Sequence, residues 1–350
     1  MRRRRYRASF KVFPIAAALA LLPLVGSGPA AADPVIDSGH LLSTVKSPNG
    51  SYVEKVEYQD KQNLTIYIHS AAMDQTYPVL VQRPADTSVP RPTLYLLNGA
   101  GGGVDLATWK GKTDVYQFLA DKNVNVVSPV GGKWSYYTDW KQADPVLGLN
   151  KWKTFLTEEV PPIVNAGLGT NGLNSIAGLS SSGTSVLQLA EARPGFYKSV
   201  GAYSGCAQIS DPVGYQFVKL VVETYGGGSV DNMYGPPEDP MWVANDPYVN
   251  AAKLRGTALY ISDGNGLPGM WDTLDGPRAL PGPDGLIDQV VLGGVIEAAA
   301  NYCTHNLQNK LNELNIPATY DFRNTGTHSW GYWQEDFKSS WPTLAGPLGI

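Results

Sequence analysis

One serine of the sequence lies where the chain is expected to turn sharply from a strand into a helix. Ser180 is the central residue of Gly178-Leu179-Ser180-Ser181-Ser182, after a short strand predicted over 174–177 and before a helix predicted over 183–193. In such a turn the residues two positions before and after a nucleophile must be small, and the serine hydroxyl projects above the sheet. The pattern favours Ser180 as a nucleophile. The alternative is a serine-rich turn whose hydroxyls cap a helix.

A serine hydroxyl becomes a good nucleophile at neutral pH when a base accepts its proton, and histidine is the usual base. His328 lies in Thr325-Gly326-Thr327-His328-Ser329-Trp330, a loop directly after the last predicted strand, 318–322. We therefore expect His328 to be the base. The other histidines are interpreted as surface or satisfied core residues: His40, His69 and His305.

Two acidic residues could orient this base, and the residues alone leave both open. Asp263 directly follows a buried strand predicted over 259–262, where an acid is often carried when the chain order is serine, acid, histidine. Glu297 begins an apolar helical stretch, 295–300, where an acidic side chain has no obvious structural purpose. Position alone favours Asp263 slightly.

A glycine-rich loop could supply one of the N–H groups that an oxyanion needs. It is Asn98-Gly99-Ala100-Gly101-Gly102-Gly103, directly after the apolar strand predicted over 93–97. We predict that the N–H groups of Ala100 and Ser181 form the oxyanion hole. A phosphate cradle is excluded because no Lys-Ser/Thr pair follows the glycines and no dinucleotide spacing is present.

The elements that must position these residues alternate along the chain between strands and helices. Helices are predicted over 115–122, over 153–165 with a break at Pro161-Pro162, and over 292–314. This alternation predicts an α/β fold with a mainly parallel central sheet, helices on both faces and an antiparallel edge from the early hairpins. Residues 205–256 are less regular, and we interpret them as an insertion or cap that covers one end of the sheet.

The composition excludes several classes of protein. The chain has 350 residues with a net charge of −4 and only 17% charged residues, so it lacks the basic surface of a nucleic-acid-binding protein. No cluster of residues with metal-ligand spacing is present; the loop 275–288 lacks the spacing of a calcium-binding EF-hand and is expected to be solvated. We expect neither a metal nor an organic cofactor.

The first 32 residues are predicted to be a signal peptide rather than part of the fold. Six basic side chains precede the apolar stretch 12–26, and Ala30-Ala31-Ala32 fits a cleavage site. We therefore expect one catalytic domain over 33–350, secreted and without a transmembrane segment; an uncleaved membrane anchor is the alternative. Export would place Cys206 and Cys303 in an oxidising compartment, where they are reasonable disulfide partners, with two free thiols as the alternative.

Several sequence blocks, taken together and in order, resemble the exported mycolyltransferases of the antigen 85 type, within the esterase D group of α/β-hydrolases. The blocks include Tyr95–Gly99, Pro129–Gly132, Gly178–Ser180, Gly264–Gly266 and Gly326–Trp330. In that family the acid is a glutamate on a helix about thirty residues before the histidine. The resemblance therefore implies a triad of Ser180, Glu297 and His328, with Asp263 non-catalytic. It also implies transfer of a mycolyl chain between trehalose esters, or onto cell-wall arabinogalactan, through an acyl-serine intermediate.

Two departures from the family pattern leave the acyl acceptor open. Relatives carry Asp-Gly-Leu-Arg where this chain has Asn98-Gly99-Ala100-Gly101, so the charged sugar contacts of that loop are missing, and the cysteine pair of many relatives is also absent. The expected substrate is a glycolipid or acyl ester at the cell-envelope surface, and the resemblance implies trehalose mycolates. A secreted carboxylesterase and a non-catalytic envelope- or matrix-binding relative are the alternatives. The residues predicted to contact substrate are Asn98, Gly101, Ser329 and Trp330.

Overall fold

Nine strands form one sheet within residues 42–350, the part of the chain that the computed structural model describes. The strand order is β1-β2-β3-β5-β4-β6-β7-β8-β9. The first three strands and β5 pair antiparallel, whereas β5, β4, β6, β7, β8 and β9 pair parallel. The strand bounds are β1 Tyr52–Tyr58, β2 Asn63–Ser70, β3 Gln75–Gln82, β4 Thr93–Leu97, β5 Asn125–Pro129, β6 Asn174–Leu179, β7 Tyr197–Tyr203, β8 Ala258–Asp263 and β9 Thr319–Phe322. The predicted parallel sheet with an antiparallel edge is therefore confirmed.

Helices connect the parallel strands and fill the long segments after β5, β7 and β8. The α-helices are α1 Trp109–Lys112, α2 Val115–Leu119, α3 Trp152–Thr154, α4 Val160–Leu168, α5 Ser181–Ala192, α6 Pro212–Lys219, α7 Val230–Met233, α8 Pro240–Ala244, α9 Pro247–Asn250, α10 Gly282–Ile287, α11 Gly293–Glu313 and α12 Trp330–Ala345. Three π-helical segments are Phe155–Glu159, Leu220–Tyr225 and Asp288–Leu292, and two 3₁₀ segments are Ala251–Leu254 and Gly346–Leu348.

The central strands are buried on both faces, as the continuous apolar run of β4 predicts. Tyr95 and Leu97 pack into a cluster that contains Ile163 of α4, Leu187 of α5 and Leu307 of α11. The alternate residues of the same strand pack into a second cluster on the other face, with side chains of α1, α2 and α12: Leu94, Leu96, Trp109, Val115 and Phe337. The sheet is therefore the middle layer of three, and the ends of its strands are the edges on which a site can be built.

Two predicted helix boundaries are wrong. The predicted break at Pro161-Pro162 does not occur: the chain stays helical from Trp152 to Leu168 through the π-helical segment 155–159. Neither proline can donate an N–H, and the π-helical turn directly before them is the local change in helical hydrogen bonding that accommodates them. The helix predicted to start at Leu292 is preceded by helical turns from Gly282, so the supposed loop 275–288 is partly helical.

The segment 205–256 has its own small core. Ile209, Val218, Val222, Met233 and other side chains form a third cluster. This cluster also includes Tyr136 and Trp140, from the loop after β5. The segment therefore packs against that loop, and its role as a cap stays a prediction.

One disulfide links the segment after β7 to α11. Cys206, just after β7, is bonded to Cys303 of α11, which confirms the predicted pairing. No helix among residues 42–350 is long and apolar enough to cross a membrane. The predicted signal peptide of residues 1–32 and His40 lie outside the described residues.

Candidate functional site

Ser180 lies at the junction of β6 and α5, at the carboxyl edge of the sheet. Its φ of +56° is uncommon for a residue with a side chain, and such strain is typical of functional turns. The Ser180 N–H donates to the carbonyl of Tyr203 at 2.9 Å, and its carbonyl accepts from Gly183 N–H at 2.8 Å. These contacts hold the backbone of the turn on both sides of the hydroxyl.

Small residues make this turn possible. A Cβ on Gly178 would lie 2.7 Å from the carbonyl oxygen of Ser182, and a Cβ on Gly183 would lie 2.8 Å from that of Tyr203. Ser182 occupies the position where many such turns have glycine, and its hydroxyl contacts the N–H and the carbonyl of Leu179, both at 2.9 Å. Ser182 is therefore small enough for the turn, and its hydroxyl also stabilises it.

His328 bridges Ser180 and Glu297. Its Nε2 lies 2.8 Å from Ser180 Oγ, and its Nδ1 lies 2.8 Å from Glu297 Oε2. The imidazole also meets the indole of Trp333 edge-on, with the ring centroids 4.9 Å apart. This arrangement can pass a proton from the serine hydroxyl to the imidazole while the carboxylate holds the ring.

The Glu297 side chain is fully buried on α11. Its Oε1 accepts from the Ser204 hydroxyl at 2.8 Å and from the Gly264 N–H at 2.6 Å, and Arg323 Nη2 lies 3.7 Å from the same oxygen. A buried carboxylate is stable only when donors and positive charge compensate its lost hydration. These donors leave the other oxygen, Oε2, for His328.

Asp263, the other acid considered from the sequence, has a different environment. Its carboxyl group is fully buried, and within residues 42–350 neither oxygen has a hydrogen-bond partner. Burial, and then the charge of Glu297, raises the pKa of Asp263 well above the ordinary value. The structure brings Glu297, and not Asp263, into contact with His328.

The glycine-rich loop after β4 adjoins the same turn. A Cβ on Gly99 would lie 2.9 Å from Leu179 Cδ1 and 3.7 Å from Ser180 Cβ. The Ala100 carbonyl accepts from the Trp134 N–H at 2.6 Å, which anchors the loop to the segment after β5. Ser181 follows Ser180 as the first residue of α5. The backbone carrying both predicted oxyanion donors, Ala100 and Ser181, therefore lies beside the serine.

The residues predicted to contact substrate differ in what they touch. Asn98 is fully buried: its Nδ2 donates to the Pro129 carbonyl at 3.2 Å, and its Oδ1 accepts from the Trp109 N–H at 3.2 Å. These contacts shape the loop, and direct contact of Asn98 with substrate stays a prediction. A Cβ on Gly101 would lie 2.4 Å from the Asp105 carboxylate, so this position has no room for a side chain unless Asp105 moves.

Ser329 and Trp330 follow His328 at the start of α12. The Ser329 hydroxyl is buried and has no hydrogen-bond partner among the described residues. Trp330 is half-buried and meets Trp109 and Trp333 edge-on, with ring centroids 5.8 Å and 5.3 Å apart. The two residues are next to His328, and Trp330 forms part of an aromatic wall.

Sequence reasoning missed the groups that hold the Glu297 carboxyl group in place. Ser204 donates to Glu297 and accepts from the Trp333 indole N–H at 2.9 Å. Arg323 forms an ion pair with Asp336 of α12, although burial raises the pKa of Asp336 to about 7. The sequence contains a signal for both Ser204 and Arg323, because each directly follows a strand and therefore lies at the same edge of the sheet as Ser180.

The remaining histidines of the described residues have local partners. His69 Nε2 lies 3.5 Å from Asp74, and His305 stacks on Phe322 with its Nδ1 2.9 Å from the Asn301 carbonyl. Within residues 42–350 no group of three or more His, Cys, Asp or Glu side chains is arranged to hold a metal ion.

Comparison with known proteins gives matches over most of the chain. A family model described as Esterase matches residues 70–344. Diacylglycerol acyltransferase/mycolyltransferase Ag85A of Mycobacterium ulcerans is 30% identical over 292 residues, which cover 81% of this chain and 81% of that protein. Ag85A of Mycobacterium leprae (strain TN) is 34% identical over 266 residues, which cover 74% of this chain and 76% of that protein.

A solved structure supports the fold. Mycobacterium tuberculosis MPT51 (FbpC1) superposes with a TM-score of 0.66 at 24% identity, covering 81% of this chain and 98% of that one. Together with the central sheet and its flanking helices, this likeness confirms the predicted α/β-hydrolase fold.

Proposed function

The chain belongs to the Esterase family, as a relative of the Ag85 acyltransferases, and from that membership we propose that it is an exported serine acyltransferase. Membership confirms the resemblance predicted from the sequence. The proposed reaction moves a mycolyl chain from one trehalose ester to another, or to cell-wall arabinogalactan. The proposed triad is Ser180, His328 and Glu297.

The observation that carries this proposal is the chain of two 2.8 Å contacts from Ser180 through His328 to Glu297. In the first step Ser180 Oγ attacks the ester carbonyl carbon while His328 Nε2 takes the hydroxyl proton. The tetrahedral intermediate collapses, the proton passes to the leaving sugar oxygen, and the acyl group remains on Ser180. A hydroxyl of the second sugar then attacks the acyl-serine, and His328 takes its proton and returns it to Ser180.

Two sets of groups stabilise the charges of these steps in the proposed mechanism. Glu297 Oε2 holds the Nδ1–H of His328 and stabilises the imidazolium, while Ser204 and Gly264 keep the carboxylate in place. The N–H groups of Ala100 and Ser181 face the developing oxyanion, and each such donor contributes about 3 kcal/mol to the transition state.

Exposed apolar side chains beside the base favour a lipid acyl group. Gly293 accepts the His328 N–H at 3.3 Å, and its neighbours along the chain, Leu292 and Val295, are 44% and 66% exposed. Exposed apolar side chains concentrated near a site suit an apolar ligand. The disulfide between Cys206 and Cys303 supports export, because disulfides persist in oxidising compartments.

A secreted carboxylesterase is the second candidate. It is favoured by the loop after β4, where Asn98 is committed to protein contacts and Gly101 has no side chain to hold a sugar. In that case water replaces the second sugar hydroxyl as the nucleophile. A non-catalytic envelope-binding relative is the third outcome to be tested.

Incubation with trehalose monomycolate distinguishes the three functions. Formation of trehalose dimycolate by the wild type, and its loss in Ser180→Ala, would support the transferase. Release of free mycolate, or hydrolysis of short acyl esters alone, would favour the esterase. Absence of turnover by a folded wild type would contradict both enzymes and favour the binding protein.

A further inference from the structure

The loop between β8 and α10, residues 264–281, runs beside the segment that carries His328. Gly266 N–H donates to the Gly326 carbonyl at 2.9 Å, and Gly326 N–H donates to the Leu267 carbonyl at 2.7 Å. After the histidine, Gly331 approaches the ring of Trp271 so closely that a Cβ there would lie 2.4 Å from Trp271 Cγ. The loop therefore contacts the chain on both sides of the base.

Asp272 joins the two sides. Thr327 Oγ1 donates to Asp272 Oδ1 at 2.5 Å, and Tyr332 OH donates to Oδ2 at 2.6 Å. Gln289 Nε2 also donates to Oδ1, at 2.7 Å, and the Gly269 N–H donates to Oδ2 at 2.8 Å. One carboxylate thus holds the residue before His328 and the residue four positions after it.

These contacts require a carboxylate. An ionised carboxyl group only accepts hydrogen bonds, and all four groups around Asp272 can donate. Burial, and then the hydrogen bond to Asp272, raises the pKa of Tyr332 well above its ordinary value, so the phenol remains a donor at neutral pH. An amide at position 272 would turn its own N–H toward the N–H of either Gln289 or Gly269.

We propose that Asp272 is a positioning residue for His328. It does not touch the reacting atoms; it fixes Thr327 and Tyr332, and these fix the backbone that sets the imidazole 2.8 Å from Ser180 Oγ. Thr327 is fully buried and Tyr332 is 3% exposed, so a displacement of either is transmitted to the histidine. The inference rests on the proposed function, because it concerns the base of that reaction.

The test measures how fast a fluorophosphonate probe labels Ser180, together with kcat and KM for a short acyl ester. In Asp272→Ala the labelling rate and kcat fall about 10²-fold, the effect expected of a displacement near 1 Å, while KM changes little. Asp272→Asn retains acceptors on one side and falls less. The matched control is Asp275→Ala, which removes another carboxylate of the same loop and leaves both rates near those of the wild type.

The inference is overturned if folded Asp272→Ala labels within about threefold of the wild type, far less than the loss that misplacement causes, or if only KM changes. If Asp272→Ala does not fold, Thr327→Val removes one of the two hydroxyl contacts and decides the question by the same criterion. Failure of the proposed function has another signature: the wild type is not labelled, or Ser180→Ala is labelled equally. In that event the inference falls with it.

Discussion

At the scale of single residues, two buried carboxyl groups, Glu297 and Asp263, have opposite surroundings. Glu297 has donors on both oxygens, whereas Asp263 has no hydrogen-bond partner among the described residues. The carboxylate that orients a catalytic histidine must be charged and in contact with it. Of the two, only Glu297 is in contact with His328.

This contrast predicts different effects for two isosteric substitutions. Glu297→Gln lowers kcat for acyl transfer by about 10³- to 10⁴-fold, because an amide neither stabilises the imidazolium nor fixes the tautomer of His328. Asp263→Asn leaves kcat close to the wild-type value. Steady-state kinetics of the two folded variants checks both, and the reverse pattern would show that Asp263 is the acid.

Asp263 also predicts a pH dependence of stability. Its raised pKa means that the folded protein keeps a proton that the unfolded chain releases above about pH 4. Unfolding then releases a proton, so this group lowers the free energy of unfolding as pH rises from about 4 toward the raised pKa. Asp263→Asn removes this contribution, and the variant loses less stability than the wild type over that window.

Urea unfolding of both proteins at a series of pH values measures this difference. Asp336, whose pKa burial raises to about 7, contributes in the same direction in both proteins. Parallel curves of unfolding free energy against pH would mean that Asp263 is not a source of the dependence.

The sequence predicts the serine and the histidine of the proposed triad but leaves its acid to family resemblance. Ser180 and His328 stand out because each follows a predicted strand in a recognisable turn or loop. Glu297 does not follow a predicted strand. It lies on α11, and only the tertiary structure brings that helix to His328. The contacts of Asp272 could not be predicted from the sequence either, because its partners Thr327 and Tyr332 lie more than fifty residues away along the chain.

At the scale of elements, the turn between β6 and α5 depends on two backbones in close contact. Gly183 in the first turn of α5 packs on Gly205, which follows β7; a Cβ on Gly183 would lie 3.1 Å from Gly205 Cα and 2.8 Å from the Tyr203 carbonyl oxygen. Backbone of a central strand cannot move aside as a flexible side chain can. The approach therefore fixes the height of Ser180 above the sheet.

Gly183→Ala is accordingly predicted to lower the free energy of unfolding by about 1–3 kcal/mol, the usual effect of overpacking. It also lowers kcat, because α5 must shift away from β7 and carries Ser181 with it. The control is Gly346→Ala, where nothing lies within 4 Å of the added Cβ and no such loss is expected. Equal stability of the two variants by urea unfolding would refute the close-contact argument.

The helix break predicted at the proline pair shows where a local sequence rule fails. The proline pair Pro161-Pro162 predicts a break, but the chain stays helical because the π-helical segment directly before α4 accommodates the two missing N–H groups. The strand β4 is easier to predict, since its continuous apolar run is a local pattern. The sequence does not show where contacts with neighbouring elements override such local patterns.

At the scale of the whole molecule, the disulfide joins the two parts of the chain that support the proposed acid. Cys206 lies two residues after Ser204, and Cys303 lies on the same helix as Glu297. A second link is non-covalent: Thr304 Oγ1 donates to the Gly205 carbonyl at 3.1 Å. The bridge thus closes a long loop, while hydrogen bonds hold the local geometry without it.

Removing the bridge is therefore predicted to affect stability far more than catalysis. The cysteines are 97 positions apart, and closing a loop of this length stabilises the folded state by about 4–5 kcal/mol through the entropy of the unfolded chain. Cys206→Ala/Cys303→Ala should lose that amount in urea unfolding, with kcat at low temperature nearly unchanged because Ser204, Gly264 and His328 still contact Glu297. The single variant Cys206→Ala separates the bridge from side-chain packing, since it breaks the same bond but keeps the buried sulfur of Cys303. A kcat that collapses along with the bridge, in protein that remains folded, would mean instead that the disulfide itself positions the acid.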